Sequence, residues 1–163
     1  MKYLKPIAAF ALAILMQSCI SMEPDDSPRS SRNYRPVIMK RDVFEKSIRL
    51  QSPQPVSQSG KIYIKDNLLF VNDVKQGFHV YDYTNPSTPK PVAYIEIPGA
   101  TDLAVRNNII YINQATDLVT LAYANNAITL IKRNPKVFPQ KQSPDDSYAN
   151  PKANEIIINW IPK

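Results

Sequence analysis

The sequence predicts an all-β chain of about two antiparallel, blade-like repeats, preceded by an apolar leader and a polar tether. Three observations predict it. From Gly60 onward, β-branched and aromatic residues alternate with turn residues, the period-2 pattern of half-buried strands. The same pattern returns about forty residues later in the same order. The chain also opens on a short apolar run that stops at Cys19.

The leader, residues 1–18, carries Lys2 and Lys5 and then the apolar run Ile7 to Met16. That run has the length of a secretory h-region, about ten residues, where a bilayer-spanning helix needs about twenty. It closes on Leu15-Met16-Gln17-Ser18-Cys19, which resembles the lipobox of bacterial lipoproteins, with Ser18 directly before the cysteine and Met16 where Leu is usual. The resemblance implies cleavage before Cys19 and lipid on its thiol, so the mature chain would be held to a membrane there. Cys19 is the only cysteine, which excludes an intramolecular disulfide and a Cys-based zinc site.

Residues 19–33 are polar and broken by Pro24 and Pro28, and they bury too little apolar surface to offset chain ordering, so they read as a flexible tether. The cluster Glu23, Asp25 and Asp26 resembles the export signal of Bacteroidota lipoproteins bound for the outer face of the outer membrane. It is equally at home in a plain soluble linker. Residues 34–59 form a bridging segment in which Arg41–Ile48 makes a short helix. Val43, Phe44 and Ile48 share one side, and Glu45 pairs with Arg41 or Arg49. Pro53 and Pro55 then stop regular structure.

The first repeat spans 60–99. Lys61–Lys65 alternates, Asp66-Asn67 turns, and Leu68–Asn72 is a second strand. Phe78–Asp82 is the third, Asn85–Pro89 is a loop, and Val92–Ile97 closes the group of four. The second repeat spans 100–138. Ile62–Asn72 lies over Leu103–Asn113 at an offset of 41, and Phe78–Tyr81 over Leu118–Leu121 at an offset of 40. The fourth strand returns as Ile128–Ile131, its loop shortened to Asn125-Asn126. A four-stranded antiparallel unit recurring at this period is the arrangement of a β-propeller blade. Residues 139–163 continue a proline-rich connection and end in Glu155–Ile161, read as one strand of a third blade whose apolar edge would invite pairing between molecules.

The run Phe78-His79-Val80-Tyr81-Asp82 followed by Thr84-Asn85-Pro86-Ser87-Thr88-Pro89 resembles the signature of LVIVD-repeat proteins. Thr101–Val105 and Asn107–Ile112 are similar to the same family's strand-turn-strand. The resemblance implies a β-propeller-like fold and a cell-surface location, and it implies no reaction. Propellers close from four to eight blades, so about two blades describe either the amino-terminal part of a longer protein, a compact sandwich, or copies that complete one another.

No catalytic constellation emerges. His79 is the single histidine and reads as an exposed strand residue, lacking the second ligand a metal site needs. Asp145-Asp146 reads as a solvated turn and Asp25-Asp26 as part of the tether. Gly60, Gly77 and Gly99 sit at strand boundaries and supply positive φ, which leaves no glycine-rich phosphate loop. Tyr63, Tyr81, Tyr83, Tyr94, Tyr111 and Tyr123 read mainly as packing residues with hydroxyls at the surface, and alternatively as a sugar- or peptide-stacking face. The net charge of +6 is spread without a dense basic run, so no nucleic-acid partner is expected, and no cofactor or metal either. The reading is a lipid-anchored outer-membrane protein, exposed on the cell surface, that acts as a binding or scaffold module for a protein or glycan. The alternative is the amino-terminal fragment of a propeller enzyme whose active site lies in further blades.

Overall fold

The computed structural model describes residues 33–163; the leader, Cys19 and the acidic cluster Glu23, Asp25 and Asp26 lie outside the described residues. Among the described residues the architecture is all-β apart from one five-residue helix, with three antiparallel sheets that do not close into a ring.

The first repeat supplies β3 (Ser59–Lys65), β4 (Leu68–Asp73), β5 (Gly77–Asp82) and β6 (Lys90–Glu96), and the second supplies β7 (Ala100–Arg106), β8 (Ile109–Gln114), β9 (Asp117–Ala124) and β10 (Ala127–Asn134). Each set forms a meander. The turns follow from their residues: Asn107-Asn108 and Asn125-Asn126 take positive φ at both positions, the backbone of two-residue hairpins that twist with their strands. Where the Asn-Pro loop stands in the first repeat, Asp82 caps it by accepting from Thr84 N at 2.9 Å, and Asn85 Oδ1 accepts from Ser87 N at 3.1 Å.

The bridging segment is more ordered than its sequence suggests. It holds β1 (Tyr34–Lys40), α1 (Arg41–Glu45) and β2 (Arg49–Gln51). β2 pairs with β6, which makes the first sheet five-stranded, in the order β2-β6-β5-β4-β3. The helix stops at Glu45, three residues short of the expected end, where Ser47 folds back to the Phe44 carbonyl through both Oγ (2.7 Å) and N (3.2 Å). Phe44 is therefore buried while Val43 is 51% exposed, so the two do not share a packed side. The expected Arg41–Glu45 pair is present at 2.6 Å.

The last strand, β11 (Glu155–Pro162), pairs antiparallel with β1 in a separate two-stranded sheet. Ile156 and Ile157, expected as an exposed edge, are buried. The correction has a simple cause: Tyr34–Lys40 looked like irregular chain, yet it lies beside Glu155–Pro162 along its whole length, with only one bulge at Val37/Ile38.

One core joins the two large sheets. Phe70, Phe78, Val80 and Ile95 of the first meet Leu103, Ile110, Ile112, Val119 and Leu121 of the second, each contributing roughly 1.5–3 kcal/mol by leaving water. Phe70 and Tyr123 cross the interface edge to face, with ring centroids 6.4 Å apart. At one flank Lys61 on β3 reaches Asp102 on β7 at 2.6 Å, and the Tyr63 hydroxyl donates to the same carboxylate. The two repeats present opposite faces to this core. In the first the inward positions are Phe70, Phe78 and Val80; their equivalents Tyr111, Leu118 and Thr120 lie on the outer side of the second sheet. The inward positions Leu103, Val105, Ile110 and Ile112 of the second correspond to Ile62, Ile64, Leu69 and Val71 on the outer side of the first.

Candidate functional site

The turns β4–β5 and β8–β9 and the link β6–β7 meet at one end of the sandwich, where most of the unusual chemistry collects. Gly99 N donates to Lys75 O, Lys75 N to Ala100 O, and Ala115 N to Gly99 O, a backbone knot that ties the two repeats together. Gly99 takes φ +82°, and a Cβ there would come within 3.3 Å of both Ala115 and Ile158, so the residue must be small for β11 to cross. Gly60, by contrast, stands at the start of β3 as expected but without positive φ.

His79 is 2% exposed, contrary to its reading as a surface residue. The reason lies in residues 52–58, which run from β2 at one edge of the first sheet to β3 at the other and cover the outer face at this end. His79 Nε2 lies 3.1 Å from Asp73 Oδ2, and since a carboxylate only accepts, Nε2 carries the proton of that bond. Asp73 also accepts from Ser57 N (3.0 Å), Ser57 Oγ (2.8 Å) and Gln58 N (2.9 Å). Burial pushes the Asp73 carboxyl up, but these bonds outweigh it and hold the group below the usual carboxylate range. Serine and histidine both bond to the aspartate rather than to each other. The cluster therefore lacks the nucleophile-to-base contact of hydrolytic triads and acts as a latch for the covering segment.

A second buried hub sits across the knot. Asp117 is fully buried and accepts from Arg41 at 2.5 and 3.1 Å, from Arg133 at 3.1 Å and from Lys136 N at 3.2 Å. Gln114, equally buried, bridges Arg133 (2.8 Å), the Pro98 carbonyl (3.0 Å) and Ser47 (3.3 Å). Both guanidiniums lie over the Phe44 ring, 5.5 and 4.9 Å from its centroid. The basic residues that looked scattered thus converge in part, with α1 pinned to the second sheet as the result. Asp145 departs in the same way from a merely solvated turn: its carboxylate takes the hydroxyls of Ser143 and Ser147, both buried, and lies well below the usual range for that reason.

Between the first sheet and the β1–β11 pair runs a groove formed by two clefts of about 440 and 400 Å³ that meet at Met39, Glu96 and Pro98. Gln51 and Gln54 line one wall, Val37 and Ile158 the other, and Tyr94 and Lys75 lie at the latch end. Tyr94 stacks at a tilt on His79, 4.7 Å between centroids, and its hydroxyl is pushed up to about 12 by burial and then by the charges of Asp73 and Glu96. The Lys75 ammonium is held below its ordinary value by burial and by repulsion from Lys141. Both lysines also line a small pocket beside Trp160, whose indole N–H fixes the Lys141 carbonyl at 3.0 Å. Among the described residues neither lysine has a carboxylate within 4.0 Å.

Of the six tyrosines read as packing residues, Tyr94 and Tyr123 are buried, while Tyr111 is 38% exposed. The Tyr63 and Tyr123 hydroxyls are spent on Asp102 and Asn126. Among the described residues no group of three or more His, Cys, Asp or Glu side chains is placed to hold a metal ion, and no helix is long and apolar enough to cross a membrane. Compared with known proteins, the chain matches no protein-family model, no curated protein and no solved structure.

Proposed function

We propose that this protein is a lipid-anchored binding module of the cell envelope, carried by Cys19 and built on β-propeller-like blades, that takes a glycan in the groove between its first sheet and the β1–β11 pair. The groove carries the reading. Gln51 donates to Glu96 at 2.7 Å and accepts from Gln54 at 3.4 Å, and Asn159 accepts from Trp160 N at 2.8 Å. That leaves Gln54 Oε1 as an acceptor and Asn159 Nδ2 as a donor for sugar hydroxyls, and Tyr94 gives the wall an aromatic residue with a polar tip. Lys75, without a carboxylate partner among the described residues, favours a ligand that carries an acidic group.

The propeller-like part rests on the packing of opposite faces by the two repeats, since successive blades of a propeller stack in that sense. The anchor rests on Leu15–Cys19, and the surface location on the acidic cluster Glu23, Asp25 and Asp26 together with the LVIVD-like run Phe78–Pro89. In this reading the protein performs no reaction of its own.

An array of defined neutral and uronic-acid glycans, probed with the protein and with Gln54→Ala and Lys75→Met, tests the groove. The expected outcome is retention of acidic glycans that falls at least tenfold in either variant. Absence of any glycan signal, or a signal indifferent to both substitutions, would count against it.

A further inference from the structure

The two outer faces of the sandwich are not equivalent surfaces that happen to face water. Each stands in the repeat where a face buried inside stands, with Thr120 in place of Val80 and His79 in place of Val119. Leu103, Val105, Ile110, Ile112 and Leu121 form the second sheet's half of the core, and their equivalents Ile62, Ile64, Leu69, Val71 and Tyr81 lie on the open side of the first sheet. Ile62 is 63% exposed and Ile64 57%, on a strand at the sheet's edge. Isolated exposed apolar residues need no account, but a contiguous apolar row on one sheet face does.

The matching surface is on the same molecule, at its far side. Phe70 and Phe78 cover the second sheet's core face, and their equivalents Tyr111 and Leu118 lie on the second sheet's outer side, with Tyr111 exposed. The aromatic pair of the internal interface extends the match. Phe70 meets Tyr123, and the equivalents of these two residues are Tyr111 and Tyr83, again two aromatics. A molecule that places its Tyr111 face against the Ile62–Ile64 face of another would bring together many of the side-chain types that join the two repeats within the chain, on the part of the sheet away from His79, where residues 52–58 cover it.

We infer that copies of this chain associate head to tail, the outer face of the second sheet in one copy seated on the outer face of the first sheet in the next. The occupant of the Ile62–Ile64 face is a second copy because that face has the composition of one the chain already knows how to cover, and the covering type of face is available on the chain itself. The contact is heterologous. It joins two different surfaces, so it propagates into a ring if the rotation closes and into an open stack if it does not. The inference goes beyond ligand binding in the groove and does not depend on it.

Light scattering on the full chain purified in detergent, from micromolar to millimolar concentration, reads the association, and two surface variants read its polarity. Ile64→Glu spoils one face and Tyr111→Glu the other, and both positions are exposed, so thermal unfolding is expected to match the parent. The parent is expected to gain mass with concentration in multiples of the chain. Each variant alone is expected to stay a monomer, and an equimolar mixture to give a dimer that grows no further, since one intact face remains on each partner. A parent that stays monomeric throughout overturns the proposal. So does self-association of either variant alone, or a mixture that forms no dimer.

Discussion

The residues with most influence on this molecule are its buried ionised ones. Asp117 sits without solvent contact between two arginines, so removing its carboxylate leaves Arg133 without an acidic partner and Arg41 with the half-exposed Glu45 alone. Asp117→Ala is expected to cost about 3–5 kcal/mol in urea unfolding, whereas Arg133→Met, which leaves Arg41 in place, costs less. Asp73 sets an acid limit. In the unfolded chain its carboxyl takes up a proton near about 4, and in the folded chain the bonds from Ser57, Gln58 and His79 hold that value lower. Below about pH 4 the unfolded state therefore binds a proton that the folded state refuses, and stability falls as pH drops through the folded value. Asp73→Asn is expected to flatten that acid slope in unfolding midpoints measured from pH 6 downward. Neither hub was legible in the sequence. Arg41 and Asp117 are 76 residues apart, and no local pattern links them. The alternation places His79 in solvent because its neighbours Phe78 and Val80 point to the core, and the segment that buries it is a proline-broken run with no strand or helix signal.

The elements themselves were far more legible, because strand periodicity and turn chemistry are local. β3 to β10 follow the alternation of apolar residues, and the hairpins fall at Asp66-Asn67, Asn107-Asn108 and Asn125-Asn126 where short polar residues tolerate the left-handed backbone. The last of these is open to test. Asn125 has φ +50°, so Asn125→Val forces a β-branched side chain into that region and is expected to cost about 1–2 kcal/mol, while Asn125→Gly leaves the thermal midpoint nearly unchanged. β1 and β2 were missed for the opposite reason. Tyr34–Lys40 contains Pro36 and no clean alternation, and it becomes a strand through pairing with Glu155–Pro162 at the other end of the described chain. The helix begins at Arg41 as the sequence predicts and ends before Ile48, where the Ser47 back-bond to Phe44 competes with a further turn.

At the scale of the whole molecule, the repeat implies antiparallel sheets too few to close a ring, and the structure adds which of their faces meet. Two copies of a four-stranded unit imply two sheets, and the opposite faces they bury follow from stacking like units in the same sense. Which surfaces remain open then follows from the same equivalence. The groove was not readable from any motif, since its walls come from the covering segment after β2, from the β4–β5 turn and from the two strands that pair across the full length of the described chain. Its position at the knotted end gives it a rigid frame, with the Asp73 latch behind Tyr94 and the Gly99 link beneath Lys75. The proposed envelope role of this groove rests further on the chain being held at the membrane through Cys19.

That anchoring is the claim on which the functional account turns. Fractionating cells that produce either the parent or Cys19→Ala, with mass spectrometry of the amino-terminal peptide, tests it in one measurement. The account predicts a parent in the membrane fraction whose terminal peptide begins at a lipid-modified Cys19, and a Cys19→Ala chain that accumulates unprocessed and carries no lipid. A Cys19→Ala chain processed and retained in the membrane to the same extent as the parent would contradict it.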